Sequence, residues 1–212
     1  MSSIVVPDGD KVTITTSRLV LRGAREEDVE SLYEVFSHPE VMKYWYFFSC
    51  AMRFNTKVWR RSELPHPSVE RTTKWVASMI ANFQNGTTDF VVTLKETGTP
   101  IGKMGIWAQD EIGFLLNAAY WRRGLALEAL NALLPYFFRE KGFNVITADT
   151  DPDNTASIAL LEKVGFEITG FEKRTFQIGE TWVDSCYLRL QKEKWESSAK
   201  LCNSTEKDPS LV

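Results

Sequence analysis

The stretch from Glu111 to Leu134, EIGFLLNAAYWRRGLALEALNALL, constrains the fold more than any other part of the chain. It begins with a strand-length apolar run between Ile112 and Leu116. A basic turn that contains a glycine follows at residues 122–126. The apolar residues beyond the turn recur at the spacing of one helical face: Leu127, Leu130, Leu133, Leu134 and Phe137. The pattern predicts a buried strand that enters a long helix through a tight turn.

A turn of this kind is suited to binding an anion. The N–H groups of a first helical turn have no intrahelical acceptor and carry partial positive charge, so they hold phosphate or pyrophosphate well. Gly124 lets the backbone approach the anion closely, and Ala126 keeps bulk out of the first turn. Arg122 and Arg123 add fixed positive charge. The alternative is an ordinary strand-to-helix corner with two solvated arginines.

The turn resembles the acetyl-CoA-binding motif of the GCN5-related N-acetyltransferase (GNAT) superfamily, Q/R-x-x-G-x-G/A, which falls here on residues 121–126. Trp121 and the following Leu127-Glu128-Ala129 are closer to the RimJ/RimL-like branch, which acetylates the N-termini of ribosomal proteins. That branch usually carries W-G-x-G-x-A-x-E-A, so Arg122 departs from its first glycine. The resemblance extends from about Thr16 to about Trp195. It implies acetyl-CoA as co-substrate, with its pyrophosphate held by residues 122–127, Leu125 and Ala126 included.

A second motif of the same superfamily begins at Asn154, in the phrase N-T-A-S-I-A-L-L-E-K-V-G-F. The resemblance implies that Asn154 contacts CoA. It also implies that Ser157 protonates the leaving thiolate, because Leu160 and Leu161 occupy the region where many relatives carry a tyrosine. The alternative role for Ser157 is that of a helix-start serine that bonds only to backbone.

Two carboxylates are candidates for the base that removes the amine proton. Glu111 lies within about one residue of the position where the histone-acetylating branch places its general base, and it can act directly or through water. Its alternative role is that of a solvated strand-edge carboxylate. Asp184 alternates with apolar residues along a predicted strand, and such burial raises a carboxyl pKa unless the group is paired. The duller alternative for Asp184 is a buried ion pair.

The remaining chemistry follows from the same resemblance. The backbone N–H groups near Leu115 and Leu116 are placed to polarise the thioester carbonyl, as in an oxyanion hole. No cysteine or serine stands in a nucleophile motif, so we expect the amine to attack directly within a ternary complex. No metal is expected in this chemistry.

Composition narrows the class of protein. A chain of 212 residues, 43% hydrophobic and 25% charged, fits one soluble domain with a substantial core. A net charge of −3 gives no basic surface for nucleic acid, and no apolar run reaches membrane-spanning length. Three unclustered cysteines and the lack of a signal-peptide pattern favour a reduced, cytoplasmic protein. We expect a monomer or a homodimer.

The predicted fold is α/β (α+β), with a mixed, mostly antiparallel sheet flanked by helices and splayed at the central strand to admit CoA. The domain spans residues 12–195, between a flexible segment at 1–11 and a disordered tail at 196–212. Residues 46–67 mix aromatic and basic side chains and are expected to form an insertion or loop relative to the family.

Gly102 and Gly105 lie inside one predicted strand, where glycine marks a bulge or a close approach. Pro135 is expected to bend or interrupt the long helix.

The expected function is transfer of an acetyl group from acetyl-CoA to a primary amine. The acceptor class stays open among a protein N-terminus, an amino acid, a polyamine and another small-molecule amine. The alternative is a CoA-binding protein without catalysis, whose acceptor site is altered by the insertion at 46–67. A dinucleotide-binding protein is disfavoured because G-x-G-x-x-G is absent after any predicted strand.

Overall fold

A computed structural model describes residues 4–8, 11–45, 65–84, 88–178 and 181–205. The strands are β1 Ile4–Asp8, β2 Lys11–Thr15, β3 Leu19–Arg22, β4 Thr88–Leu94, β5 Pro100–Ala108, β6 Glu111–Leu116, β7 Val145–Thr150, β8 Glu167–Ile178 and β9 Thr181–Gln191. The helices are α1 Val29–Phe36, α2 Pro39–Met42, α3 Val69–Gln84, α4 Leu125–Pro135, α5 Thr155–Lys163 and α6 Lys192–Thr205. Short 3-10 turns occur at Glu26–Asp28 and Ala118–Tyr120, and a π-helical turn occurs at Tyr136–Glu140.

The strands form one mixed sheet in the order β1-β2-β3-β4-β5-β6-β7-β9-β8. Every neighbouring pair is antiparallel except β6 and β7, which are parallel. Helices α1–α3 cover one face of the sheet, and α4 and α5 cover the other. The predicted fold class, a mostly antiparallel sheet flanked by helices, is therefore confirmed.

The parallel pair is also where the sheet opens. β6 and β7 are in register only at Glu111 and Thr147, where the Thr147 N–H donates to the Asp110 carbonyl at 2.9 Å. By contrast, β5 and β6 stay paired from Ala108–Glu111 to Gly102–Leu116. The two central strands thus separate beyond residue 111, which is the splay that the sequence predicts. We call the space between residues 112–116 and 148–150 the gap.

Each face of the sheet has its own apolar core. On the α4–α5 face, Leu130, Leu133 and Phe137 are fully buried against Phe90 and Met104 of the sheet. The α1–α3 face has a smaller cluster that includes Leu32, Val35, Phe36, Val76, Met79, Val91 and Leu115. Because the faces are separate, the strand residues alternate between the two cores, and this alternation fixes the face on which each polar side chain lies.

One ion pair is buried on the α1–α3 face. Lys103 Nζ lies 2.5 Å from Asp89 Oδ2, and both residues are less than 10% exposed. The ammonium also lies over the rings of Trp45 and Trp75, at 5.2 and 5.8 Å from their centroids. Burial of a charge is costly unless it is paired, so this contact is what allows Lys103 to occupy an interior position.

The predictions about particular glycines and about Pro135 are confirmed. A Cβ atom on Gly102 would lie 2.0 Å from the Leu115 carbonyl oxygen, and one on Gly105 would lie 2.2 Å from that of Thr88. Only glycine permits such close approach of neighbouring strands. After Pro135 the long helix changes from α-helical to π-helical, and it ends before Gly142. Proline removes a backbone donor, and π-helical turns are a common site of such interruptions.

The chain ends differ from the sequence prediction. Residues 4–8, expected to be flexible, form β1 and pair with β2 from Ile4–Thr15 to Asp8–Lys11. Strands β2 and β3 are separated by a turn in which the Thr16 N–H donates to the Leu19 carbonyl and the Leu19 N–H donates to the Thr16 hydroxyl, both at 2.9 Å. At the other end, α6 occupies residues through 205 that were expected to be disordered. Its residue Trp195 stacks on Phe138, at 5.2 Å between ring centroids, and this tertiary contact has no local sequence signal.

Most of the predicted insertion, residues 46–64, lies outside the described residues. The last part of the insertion, Pro65–Pro67, lies beside α1. There the His66 N–H donates to the Phe36 carbonyl at 2.8 Å, and the His66 ring bonds the Thr72 hydroxyl at 2.8 Å.

Candidate active site

The basic turn between β6 and α4 has the shape that the sequence predicts. Gly124 is the N-cap of α4 and has a left-handed backbone with φ of 74°. Arg122 is also left-handed, with φ of 59°, although it is not a glycine. The Trp121 indole N–H donates to the Leu116 carbonyl at 2.7 Å, which fixes the turn against the end of β6. Arg122 therefore adopts a left-handed conformation, which favours glycine, at the position where the motif usually has glycine.

The first turn of α4 presents unpaired donors. The first intrahelical bond runs from the Glu128 N–H to the Gly124 carbonyl at 3.0 Å. The N–H groups of Leu125, Ala126 and Leu127 precede it and have no intrahelical acceptor. The Arg122 and Arg123 side chains are exposed at the same turn. This arrangement fits a diphosphate, because it combines oriented N–H groups with positive charge.

The Glu128 carboxylate joins this turn to the turn between β2 and β3. It accepts hydrogen bonds from the Thr16 and Ser17 hydroxyls and the Arg18 N–H, and it pairs with the Arg18 guanidinium at 2.6 Å. Arg18 also donates to the Arg123 carbonyl at 2.9 Å. Burial alone would raise the pKa of Glu128, but these hydrogen bonds outweigh it and lower the pKa to about 2.

A groove lies behind the turn, on the β3–β4 side, with a volume of about 470 Å³. Three cations border it, Arg18, Lys95 and Arg123, together with one carboxylate, Glu96. The Arg123 guanidinium stacks over the Tyr120 ring at 5.3 Å. The turn therefore has a largely basic surface on its outer side as well as at the gap.

The edge of β6 that faces the gap offers backbone donors. The Leu115 carbonyl points at Gly102 of β5, so the peptide groups of residues 113 and 115 are directed to β5. Peptide groups alternate in direction along a strand, so those of Phe114 and Leu116 face the gap. The structure therefore changes the predicted pair of backbone donors from Leu115 and Leu116 to Phe114 and Leu116. The Leu115 N–H is directed toward β5 instead.

Glu111 lies at the base of the gap, where β6 and β7 are last in register. Strand alternation puts its side chain on the α1–α3 face with Leu115, whereas Ile112 and Leu116 pack on the other face. Its carboxyl is half-buried, and burial raises its pKa to about 7, with further contributions from the nearby charges of Asp149 and Asp110. A carboxylate with this pKa is suited to act as a base near neutral pH.

Across the gap, Asn154 and Ser157 lie at the start of α5. The Asn154 side-chain oxygen caps the helix by accepting from the Ser157 N–H at 3.2 Å. The cap uses only the amide oxygen, so the amide NH₂ group stays available as a donor to a ligand. The Ser157 side chain is half-buried. The two sequence motifs thus meet from opposite sides of the gap.

The sequence match decides the family. A family profile for the acetyltransferase (GNAT) domain matches residues 18–167. The chain belongs to the GNAT acetyltransferase family. This match contains both motifs described above, and the membership makes the chain an acetyltransferase enzyme that acts on amines.

Individual GNAT relatives agree with this membership. YnaD of Bacillus subtilis (strain 168), which carries the name of an uncharacterized N-acetyltransferase, is 29% identical over 188 residues, covering 86% of this chain and 98% of YnaD. RimL, a ribosomal L7/L12 α-N-protein acetyltransferase solved in complex with coenzyme A, superposes with a TM-score of 0.68 at 19% identity, over 89% of this chain and 98% of RimL. The spermidine N-acetyltransferase of Vibrio cholerae, solved with CoA and spermine, superposes with a TM-score of 0.67 at 20% identity, over 85% and 99% of the two chains. The predicted resemblance to RimL-like GNAT proteins is confirmed.

Asp184 does not join the other GNAT site residues. On β9, Cys186 and Leu188 pack in the core of the α4–α5 face, so by alternation Asp184 lies on that face and Glu111 on the opposite one. Its carboxylate accepts a hydrogen bond from the Arg174 N–H at 2.8 Å. The predicted alternation along this strand is right, but it carries Asp184 away from the face of Glu111.

Asp149 is a candidate site residue that the sequence interpretation missed. It lies on β7, two residues beyond Thr147, and Ile146 and Ala148 pack in the opposite core. Asp149 therefore shares the face of Glu111. Burial raises its pKa to about 7; a hydrogen bond from the Ser185 hydroxyl opposes this rise and the charge of Glu172 adds to it. The alternation in VITADT was the available signal, because it predicts Ile146, Ala148 and Thr150 inside and Asp149 on the other face.

The described residues carry neither a metal-binding cluster nor a membrane-spanning helix. Within them, no three His, Cys, Asp or Glu side chains come together in a way that would hold a metal ion. Nor does any helix in this part of the chain have the length and apolar character needed to cross a bilayer.

Proposed function

We propose that this GNAT enzyme uses acetyl-CoA as its donor and transfers the acetyl group to a primary amine by direct attack in a ternary complex. The observation that carries the proposal is the gap between β6 and β7, which has the anion-binding turn at one end and Glu111 at the other. Acetyl-CoA bound in the gap would extend along it, with the pyrophosphate at the turn and the thioester near Glu111.

The donor would be held by groups from both sides of the gap. The N–H groups of Leu125, Ala126 and Leu127 would receive the pyrophosphate, and Arg122 and Arg123 would balance its charge. Asn154 would contact the CoA arm with its amide NH₂ group. Gly124 leaves this approach open, since a Cβ there would meet nothing closer than the Arg18 guanidinium at 3.6 Å.

The acetyl group would lie beside the unpaired edge of β6. The N–H groups of Phe114 and Leu116 face the gap and would polarise the thioester carbonyl as negative charge develops on its oxygen. Such backbone donors are held by the β5–β6 pairing, so they need no rearrangement when the reaction occurs. This preorganisation is the source of their catalytic value.

The proton and the leaving group would be handled separately. The amine nitrogen attacks the carbonyl carbon, the carbon–sulfur bond breaks, and the amine proton passes to the Glu111 carboxylate directly or through water. The thiolate takes a proton from the Ser157 hydroxyl, which is reprotonated through water by the proton that Glu111 accepted. Glu111, rather than Asp184, is the base that we propose, because it lies on the gap and has a pKa raised to about 7.

The acceptor class follows only in outline from the relatives. RimL acts on a ribosomal protein N-terminus, and the Vibrio cholerae neighbour acts on spermidine, so the same fold serves peptide and small-molecule amines. A primary amine acceptor is the feature common to both. The partner that we propose is therefore a peptide or small-molecule amine, not a nucleic acid.

Thiol release from acetyl-CoA, measured against pools of peptides, amino acids, polyamines and aminoglycosides, tests the proposal. We expect release with one pool and no release from the Gly124→Glu variant, in which bulk and negative charge occupy the diphosphate site. Gly142→Glu serves as a control, because Gly142 has nearly the same left-handed φ as Gly124 (73° and 74°), a Cβ there meets open space, and it follows the far end of the helical segment that begins at Gly124. Tight acetyl-CoA binding without turnover in any pool would instead favour a CoA-binding protein that has lost catalysis.

A further inference from the structure

The position of Asp149 relative to Glu111 follows from the strand register. Glu111 pairs with Thr147, so Asp149 lies two residues farther along β7, where that strand has already separated from β6. Both side chains lie on the α1–α3 face of the sheet. The two carboxyls therefore flank the opening of the gap from neighbouring strands.

The described surroundings of Asp149 hold it in place and place no cation against it. Asp149 pairs with Tyr187 on β9, and the neighbouring Ser185 is fully buried. The Ser185 hydroxyl bonds the Thr175 hydroxyl at 2.7 Å, and the Tyr187 hydroxyl donates to Glu172 at 3.0 Å. One carboxyl oxygen of Asp149, Oδ1, is buried and has no hydrogen-bond partner among the described residues. No cation pairs with Asp149 in the described part of the chain.

We propose that Asp149 is a positioning residue for acetyl transfer. Its carboxylate faces Glu111 across the gap, and its negative charge makes Glu111 a stronger base for the proton of the acceptor amine. The inference rests on the proposed function. Asp149 gains and loses no proton in the step itself: the proton moves from the amine to Glu111, and the unpaired charge of Asp149 makes that transfer more favourable.

The physical reason is repulsion between like charges. A carboxylate close to another carboxylate favours the protonated form of its neighbour, so Glu111 becomes a stronger base than an isolated glutamate. Burial is the main reason that the pKa of Glu111 is raised to about 7, and the charge of Asp149 adds to that rise. A stronger base is better matched to the removal of a proton from an ammonium-like transition state.

The other titratable or charged groups of this region do not replace Asp149 in the role. Asp110 accepts a hydrogen bond from the Thr147 hydroxyl, and Glu172 is exposed at the outer strand and bonded by Tyr187. On β9, Arg189 pairs with Thr147 and its side chain is exposed. From the segment that follows α2, the Tyr44 hydroxyl donates to the Asp153 carbonyl at 3.4 Å, and on β5 the Lys103 ammonium is paired with Asp89.

The pH dependence of kcat/KM in Asp149→Asn tests the inference, with Asp153→Asn as the matched control on an exposed carboxylate of the following loop. We expect the acid limb to move to lower pH by about one unit and the plateau to fall several-fold, because Glu111 becomes a weaker base. Affinity for acetyl-CoA should not change. An acid limb that stays at the wild-type position in Asp149→Asn would overturn the inference.

A measurement that needs no turnover separates this inference from the proposed function. The Glu111 side-chain carboxyl carbon, followed by NMR from pH 4 to pH 9, should titrate about one unit lower in Asp149→Asn, and also in Asp149→Ser if the first variant folds poorly. Glu111 titrating at the same pH in wild type and variant overturns the role of Asp149. A shifted titration without acetyl transfer to any amine supports the coupling and overturns the proposed function instead.

Discussion

Arg122 and Gly124 both have left-handed backbone conformations, with φ of 59° and 74°, on either side of Arg123. At Gly124 this conformation costs little, because glycine lacks a Cβ. At Arg122 it is strained, by roughly 1–2 kcal/mol for a residue with a side chain. The turn thus carries an unfavourable residue at a position where the RimJ/RimL-like motif usually has glycine.

Replacing Arg122 with glycine should therefore raise the free energy of unfolding by about 1 kcal/mol, because the left-handed conformation is no longer strained. The measurement is urea unfolding followed by circular dichroism. Arg123→Gly is the matched control. Arg123 has a negative φ, so glycine there relieves no strain and should lower the stability. Equal effects of the two substitutions would show that strain at Arg122 is not the cause.

The Arg122→Gly variant also separates charge from backbone shape in donor binding. If the turn keeps its conformation, acetyl-CoA affinity should fall only by the contribution of one exposed cation, a few-fold at low salt, and less at high salt. Calorimetric titration at two ionic strengths measures this. A loss of affinity that does not depend on salt would mean that the arginine side chain makes a specific contact.

Glu128→Gln should weaken the attachment of α4 to the β2–β3 turn. The substitution removes the charge that accepts from Thr16, Ser17 and Arg18, and hydrogen bonds to a charged group contribute about 1.5–3 kcal/mol each before solvent screening. We expect a loss of about 1–3 kcal/mol in the free energy of unfolding. Glu140→Gln, on an exposed residue at the other end of the same helical segment, should change it little.

The same carboxylate predicts a pH dependence of stability. The pKa of Glu128 is lowered to about 2 in the folded protein, so the contribution is present above the unfolded value of about 4.5 and is lost as the pH falls toward 2. The difference in stability between wild type and Glu128→Gln should therefore narrow between pH 5 and pH 2. A difference that stays constant over this range would rule out an ionic origin.

The buried pair of Lys103 and Asp89 should tolerate joint replacement better than single replacement. Lys103→Met leaves the Asp89 carboxylate buried without its cation, which typically costs about 3–5 kcal/mol. The double variant Lys103→Met, Asp89→Leu should recover most of that loss. A double-mutant cycle by chemical unfolding measures the coupling, and additive losses would contradict it.

The raised pKa of Glu111 predicts that activity and stability change in opposite directions as the pH rises. Because its pKa is raised to about 7, the basic form needed for catalysis is lost below pH 7, and kcat/KM should fall about tenfold per pH unit there. The raised pKa also means that its contribution to stability is present below about pH 4.5 and is lost as the pH rises through 7. Glu111→Gln should abolish the acid limb of activity and make stability less sensitive to pH between 5 and 8.

The parts of the site that are local in sequence were predictable. The strand, the turn and the first turn of α4 lie within one continuous stretch, so the apolar spacing and Gly124 together indicated their geometry. The splay was expected only through the resemblance to the GNAT family. Glu111 was identified in the same way, by its place relative to the motif.

The residues that were misjudged depend on pairing between distant strands. Asp184 and Asp149 both alternate with apolar residues, and periodicity alone does not say which face of the sheet each pattern covers. The answer comes from the β7–β9 register, which places Tyr187 beside Asp149 and turns Asp184 to the opposite face. The α6 helix likewise depends on Trp195 contacting Phe138, which lies 57 positions earlier in the sequence.

Because β6 and β7 are in register at only one pair, Glu111 and Thr147, the sheet consists of two blocks of strands that are weakly joined. Strands β1–β6 and strands β7–β9 each have continuous internal pairing, but little backbone bonding joins one block to the other. A molecule that contacts β6 and α4 on one side and α5 on the other would act as a clamp between the two blocks. Donor binding should therefore slow amide hydrogen exchange on both sides of the opening at once, including at strands that the donor never touches.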